Sequence, residues 1–322
     1  MNLSANENWD AAQQRFLAFW HREVIDRPML QMDIPRRDGG TSYLAEAFPI
    51  TYLQRGGLAA MMGCAQNKAS GTVWTHPIDC ELDTLDIHID RSNAVLREMI
   101  DASTHAAGEV AGRAMVSFPA DMGNVGDTLA KMRGYTNLCL DLAADIELVT
   151  AREQQVTVCW RLLYEMFYSL TQPFIPGSCT QWLPIYAPGR CTLIEADFAA
   201  LVSPHHFAAV YLPAVLARVD AVEQSIFHLD GPGMIRHLDI LLEIPRLDGI
   251  QWEPGAGSGS RLQWMPLLQK IQRAGKCLWV ACEVNEVEQM ITNLSPNGLI
   301  LSILGCDSLE TARGIERLAM RL

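Results

Sequence analysis

The chain contains no CxxC pair, no internal repeat, no low-complexity segment and no apolar run near the ~18 residues that a membrane-crossing helix needs. Charge is also scarce. Charged residues make up 19% of the 322, below the quarter usual for globular proteins, and 25 basic against 37 acidic residues give a formal charge of −12. A basic face for nucleic acid or an anionic membrane is therefore not expected, because binding phosphate needs clustered cations. A small anionic substrate stays open, since a local cationic pocket can sit inside an acidic protein. The start, Met1 to Gln14, is polar and acidic and lacks the charged-then-apolar order of a secretory signal, so a cytoplasmic location is expected. Nine scattered cysteines, an odd number without paired spacing, are expected to be free and mostly buried thiols.

Hydrophobic residues make up 49%, enough for a large core and for some surface buried against a second copy in a homodimer. The only loop-like run, Gly255 to Ser260, is too short to link domains, so residues 1–322 read as one domain. The second half has a regular rhythm. Strands are expected at 225–230, 249–253, 277–284 and 299–304, with helical spacing at 234–242, 262–274, 286–294 and 308–322. Strand–helix units repeating at about 25 residues indicate a parallel sheet. No Gly-rich fingerprint follows any strand, which removes the main evidence for a dinucleotide-binding fold. The expected fold is α/β, a (β/α)₈ TIM barrel with an N-terminal helical extension at 8–22. In the first half, strands are expected at 28–34, 114–119 and 178–186, and helices at 128–148 and 152–170. A second barrel strand has no clear counterpart between 70 and 90.

A barrel carries its site at the C-terminal ends of its strands. Alternation along 225–230 puts Phe227 and Leu229 on one face and Ile226, His228 and Asp230 on the other. The apolar pair belongs against the helices, so His228 and Asp230 point into the mouth. Gln251 and Glu253, then Ser302, Leu304 and Cys306, follow the same parity, and Glu283 ends the strand between them. An imidazole, several carboxylates and a thiol on one rim suit a zinc site or a general acid–base pair. A His-x-Asp pair at a strand end also serves as a plain hydrogen-bonded anchor for the next loop. Trp182 and Tyr186 are candidates to wall a substrate pocket. Arg36 and Arg37 could grip a carboxylate or phosphate in bidentate fashion, or form a solvated loop pair. Trp160 and Tyr164 are read as core, His205 and His206 as exposed residues at a helix start, and Cys64, Cys139 and Cys159 as buried thiols.

These residues resemble the uroporphyrinogen decarboxylase superfamily, which includes the methylcobamide:coenzyme M methyltransferases. The resemblance is carried by Asp26-Arg27-Pro28, by Thr128 to Gly134, by Asp197-Phe198 with Ser203-Pro204 and Phe207, by Phe227 to Gly231, by Asp248-Gly249-Ile250 and by Gly305-Cys306. It implies a (β/α)₈ barrel. The decarboxylases' arginine-rich MRQAGR stretch is absent, the chain reading Gln31 to Arg37 there. Met132 stands in the segment of their catalytic tyrosine, and Gly305-Cys306-Asp307 replaces their Gly-His-Gly. The methyltransferase branch binds zinc through a His-x-Cys pair and a distant Cys. Carried over, this implies that His228, Asp230 and Cys306 hold zinc, with Asp230 in place of the first Cys.

The resemblance thus implies a zinc-dependent methyltransferase moving a methyl group between a corrinoid (a methylcobamide supplied by a partner protein) and a small thiol or hydroxyl acceptor. Glu253, Glu283 and Asp197 are the expected catalytic carboxylates. Trp182, Tyr186, Trp252, Arg36 and Arg37 are the expected substrate contacts. Two other readings stay open. One is a metal-free decarboxylase with His228 as general acid and an arginine holding the substrate carboxylate; the other is a non-catalytic binding barrel.

Overall fold

The computed structural model of the chain describes residues 8–53, 57–69, 72–110, 113–119 and 121–321. The strands that organise it are β1 (Met29–Pro35), β2 (Thr41–Ala45), β3 (Ile50–Leu53), β4 (Met115–Pro119), β5 (Cys191–Glu195), β6 (Gln224–Asp230), β7 (Gly249–Glu253), β8 (Cys277–Glu283) and β9 (Leu299–Leu304). The helices that matter below are α1 (Trp9–Trp20), α2 (Ala94–Val110), α3 (Asp127–Arg133), α4 (Tyr135–Ala144), α5 (Ile146–Thr171) and α6 (Leu212–Ala221).

One seven-stranded sheet has the order β2-β1-β9-β8-β7-β6-β5. Its strands run parallel except for β2, which folds back on β1 as an antiparallel hairpin. Strands β3 and β4 form a separate parallel pair, with Ile50 opposite Met115. The chain leaving β4 then lies along β5. Val125 N donates to Glu195 O at 2.7 Å, and Glu195 N donates to Gly123 O at 3.2 Å. Gly123 is required there, because a Cβ would stand 1.7 Å from Leu193 O.

Strand parity creates two cores. Leu30, Ile194, Phe227, Leu229, Ile250 and Leu278 face the helices. Met29, Leu193, Ile226, Cys277, Trp279 and Ile300 face the other way, into a second core shared with α1. Strands apolar on both faces are what a parallel sheet covered on both sides demands. Helix α1 supplies Trp9, Phe16, Phe19 and Trp20 to that inner core. Trp20 Nε1 donates to Tyr186 O at 2.9 Å, and Cys277 Sγ, at the first residue of β8, lies 3.1 Å from Phe19 O. So α1 covers the N-terminal ends of the strands, and the C-terminal ends are left for a site.

The Asp26-Arg27-Pro28 stretch is a structural pin. Arg27 and Glu46 are both buried and form a bidentate pair at 2.8 and 2.9 Å, and Glu46 also accepts from Leu30 N at 2.7 Å. It fixes the entry to β1 against the return from β2.

The first half departs from the sequence reading in three places. Residues 178–186 are not one strand. Ser178–Cys179 and Tyr186–Ala187 form a two-residue antiparallel pair, and the sheet strand is the following Cys191–Glu195, whose five residues are all buried. The helix expected over 128–148 is broken at Gly134, whose φ of 88° no helix permits, and at Asp145, which caps α5 by accepting from Leu148 N at 2.9 Å. Between 70 and 90 the described residues hold no strand of the seven-stranded sheet: Thr72–His76 pairs with Ala65–Ala69 in an antiparallel hairpin, and Ile50–Leu53 pairs in parallel with Met115–Pro119. The expected helix at 8–22 is α1, capped by Asn8, and the expected final helix is capped by Ser308, which accepts from Thr311 N at 3.1 Å.

Candidate functional site

The β6 sequence Gln-Ser-Ile-Phe-His-Leu-Asp alternates cleanly. Phe227 and Leu229 are locked into the helix-facing core, which forces His228 and Asp230 to the inner face. Register then builds a row across three strands: Glu195 on β5 and Gln251 on β7 both stand opposite His228. One step further along, Glu253 stands opposite Asp230.

At this end Asp197, His228 and Asp230 come together. One carboxylate oxygen from each aspartate and a ring nitrogen of the histidine all lie within 4.8 Å of one another. His228 is only 8% exposed. Its Nδ1 hydrogen-bonds Gln251 Oε1, a carbonyl oxygen that accepts only. That puts the proton on Nδ1 and leaves Nε2 with a lone pair. A second group that fixes the tautomer in this way is the usual support for a metal-binding histidine. The Trp182 ring meets the imidazole edge-on, with centroids 5.0 Å apart.

Asp197 is set in place by α3. The buried Asp127 carboxylate accepts from Asp197 N at 3.0 Å and from Phe198 N at 2.7 Å, so the turn after β5 is tied to the helix start. His237 Nε2 donates to Ala199 O at 2.9 Å from the other side and stacks on Phe207. Lys131, one turn along α3, donates to Asp121 at 2.5 Å. The helix 127–133 therefore serves the site through Asp127 and Lys131, by position.

Burial and mutual repulsion shape the electrostatics. Glu195 is pushed up to about 8, by burial first and then by Asp121, against the Trp182 Nε1 hydrogen bond it accepts at 2.6 Å. Asp127 is pushed up to about 7, by burial first and then by Asp197. Asp197 is also raised, by its desolvated setting first and by Asp230, while His228 and Lys131 oppose the rise. Glu195 and Asp127 are thus well above the ordinary carboxylate range and Asp197 is raised with them, a pattern typical of sites that hold a cation or move a proton.

The other expected site residues fall in several places. Trp182 lines the site through His228 and Glu195. Glu253 is on the inner face and holds Gly255 N at 3.2 Å and Arg261 at 3.4 Å. Glu283 caps the following helix in a reciprocal box with Glu286, and its backbone N donates to Glu286 Oε2 at 3.0 Å. Cys306 is outside the cluster; it is buried, with Sγ 3.8 Å from Ser308 O, and Asp197 takes the third place. Tyr186 packs on Trp9 and Phe16 of α1, at the covered end of the strands. Trp252 has the wrong parity for the mouth and packs in the helix-facing core with Trp264, centroids 4.9 Å apart. Arg36 pairs with Asp38 at 2.5 Å in the exposed β1–β2 turn, and Arg37 is exposed beside it. Sequence reasoning passed over Glu195, Asp121, Asp127 and Lys131. Glu195 ends the strand Cys191–Glu195, which lies beyond the 178–186 stretch expected from sequence, and the other three lie on a loop and a helix with no periodic signal.

No family model and no curated protein sequence matches the chain. Among solved structures it is similar to a methyltransferase from Methanosarcina mazei, with a TM-score of 0.64 and 12% identity over 96% of this chain and 98% of that one. At that identity the likeness is one of fold. No helix among the described residues is long and apolar enough to cross a membrane.

Proposed function

We propose that the chain is a single-domain (β/α)₈-barrel enzyme of the uroporphyrinogen decarboxylase superfamily that transfers a methyl group between a corrinoid, carried by another protein, and a small thiol or hydroxyl acceptor. In this reading β1, β3, β4 and β5–β9 are the eight staves. Support comes from the parallel pairing of β1 and β5–β9, from the parallel pairing of β3 with β4, from the loop 121–126, whose Asn124 bridges to Glu195 of β5, and from the two-core parity. The observation that carries the chemistry is the convergence of Asp197, His228 and Asp230 within 4.8 Å, with His228 fixed by Gln251.

Two carboxylates and one imidazole suit a divalent ion such as zinc, and are harder than a thiolate set. When bound, such an ion lowers the pKa of a substrate thiol or hydroxyl. The protein's own residues do the rest. Gln251 holds the imidazole in the ligating tautomer. Asp127 and His237 hold the turn that presents Asp197. Trp182 donates to Glu195 and packs its ring edge-on against the imidazole, which holds the ring in place. The like fold of the methyltransferase from Methanosarcina mazei is a further support.

The reading is tested by elemental analysis of untagged protein and by a methyl-transfer assay. Close to one zinc per chain is expected, together with demethylation of free methylcobalamin by 2-mercaptoethanol, followed in the cobalamin spectrum. His228→Ala should lose both. Protein that takes up no divalent ion after zinc supplementation would remove the metal from the reading.

A further inference from the structure

The segment 122–126 lies between β4 and α3 and leads into Asp127, the residue that holds the Asp197 turn. Its backbone is gripped on both edges. On one edge Gly123 O and Val125 N pair with Glu195 of β5. On the other, three side chains reach it from the helix layer. Trp160 Nε1 donates to Met122 O at 2.5 Å, the Arg218 guanidinium donates to Asn124 O at 2.5 Å, and Gly126 N donates to Glu153 Oε1 at 3.1 Å. Residues 123 and 125 thus serve β5, while 122, 124 and 126 serve the helices.

The three side chains form one unit. Glu153 and Trp160 stand seven residues apart on α5, two turns along the same face. Arg218 of α6 lies 4.7 Å over the Trp160 ring and is tied to its own helix through Ala214 O at 3.1 Å. None of the three is more than 1% exposed. A buried guanidinium beside a buried carboxyl is expensive, and apolar side chains of the same volume would fill the space at lower cost. What the polar groups add is direction, since each hydrogen bond fixes one peptide group of the loop.

That constraint passes to the site. Both carboxylate oxygens of Asp127, one residue beyond Gly126, are spent on Asp197 N and Phe198 N. The ligands of a metal site have to be held to within about 0.5 Å, so a loop that drifts further at residue 127 misplaces Asp197. We propose that Trp160, Glu153 and Arg218 are positioning residues of the candidate metal site, a buried clamp from two helices that acts through the loop and Asp127 to set where Asp197 stands. This rests on the metal reading above and adds to it the residues behind the ligands that tune their geometry.

The test uses Trp160→Phe, which keeps a ring beneath Arg218 and removes the donor to Met122 O, and Arg218→Met, which keeps the stem and removes the guanidinium. The control is Arg27→Met/Glu46→Gln, which removes a buried ion pair at the covered end of the strands. Circular dichroism establishes folding, and Trp160→Phe decides where Arg218→Met does not fold. Zinc affinity, by competition with a chromophoric chelator, should fall at least about tenfold in Arg218→Met and several-fold in Trp160→Phe. The visible bands of the cobalt(II)-loaded variants should shift, because the ligand geometry changes. In metal-free protein, amide hydrogen exchange at Asp197 and Phe198 should speed up in both variants. The control should match the wild type in all three readouts. Wild-type zinc affinity or wild-type exchange in the folded variants, or equal changes in the control, would overturn the clamp and leave the metal reading standing. Wild-type protein that binds no zinc would instead remove the metal reading, and the exchange comparison then decides the clamp by itself.

Discussion

Replacing Glu153 by Gln should flatten the dependence of stability on pH. Glu153 lies in the middle of α5 and is 1% exposed. Its Oε1 accepts from Gly126 N at 3.1 Å, while its Oε2 is buried without a hydrogen bond. The nearby Arg218 is fully buried too, donates to Ala214 O at 3.1 Å and Asn124 O at 2.5 Å, and lies 4.7 Å over the Trp160 ring. Its attraction only partly offsets the desolvation of the carboxylate, so Glu153 is pushed up from 4.5 to about 7. A carboxyl with a raised folded pKa keeps its proton between those values, whereas the unfolded chain releases it. Stability from this group is therefore full below pH 4.5 and is lost as pH rises through 7. At about 1.4 kcal/mol per tenfold change in proton affinity, the whole effect is about 3 kcal/mol, of which about 2.5 falls between pH 5 and pH 8. Gln keeps the acceptor for Gly126 N and does not titrate. Its amide places an unpaired donor where Oε2 was, a penalty of about 1–3 kcal/mol that is the same at both pH values. Urea unfolding of both proteins at pH 5 and pH 8 isolates the titration as a difference of differences, since Glu195 and Asp127 contribute equally to each protein. The wild-type protein should lose about 2.5 kcal/mol more than the variant over that rise. Parallel pH profiles would show that Glu153 is ionised in the folded state and that Arg218 compensates it in full.

Arg27→Ala should destabilise by about 3 kcal/mol, read from urea midpoints, because it removes the bidentate partner of buried Glu46 and leaves it only Arg15 at 3.4 Å and Leu30 N. Arg27→Met/Glu46→Gln should recover part of that loss. Cys306→Ser should leave zinc content unchanged, whereas Asp197→Asn should lower it by an order of magnitude or more in equilibrium dialysis. Gly123→Ala should prevent accumulation of folded protein, because the added Cβ would stand 1.7 Å from Leu193 O; circular dichroism and solubility report it. Gly108→Ala in α2 has open space around the new Cβ and should stabilise by about 0.5–1 kcal/mol, seen as a higher melting temperature.

Some of this protein was written in local sequence. The strand–helix alternation after residue 224 is legible because the strands are short apolar runs, several bounded by Gly or Pro, and the helices between them carry 3.6-residue patterns, with caps at Ser260, Glu283 and Ser308. Parity inside 225–230 placed His228 and Asp230 on the inner face, because Phe227 and Leu229 leave the chain no other way to bury them. Other features came only from contacts between distant segments. Asp197 reaches the His228 cluster because Asp127, 70 residues earlier, holds its backbone, and no pattern within either segment encodes that distance. The strand 191–195 was missed because Tyr186 and Ile185 read equally well as strand, and only packing against α1 decided that they belong to the covered end. Cys306 has the right parity but turns to Ser308 O, since the chain bends at Gly305, with φ of 73°, before the thiol can reach the cluster. Periodicity determines which face a side chain occupies, because that follows from the geometry of one strand; which residues from different strands meet follows from sheet register and loop anchoring, which only the assembled fold sets.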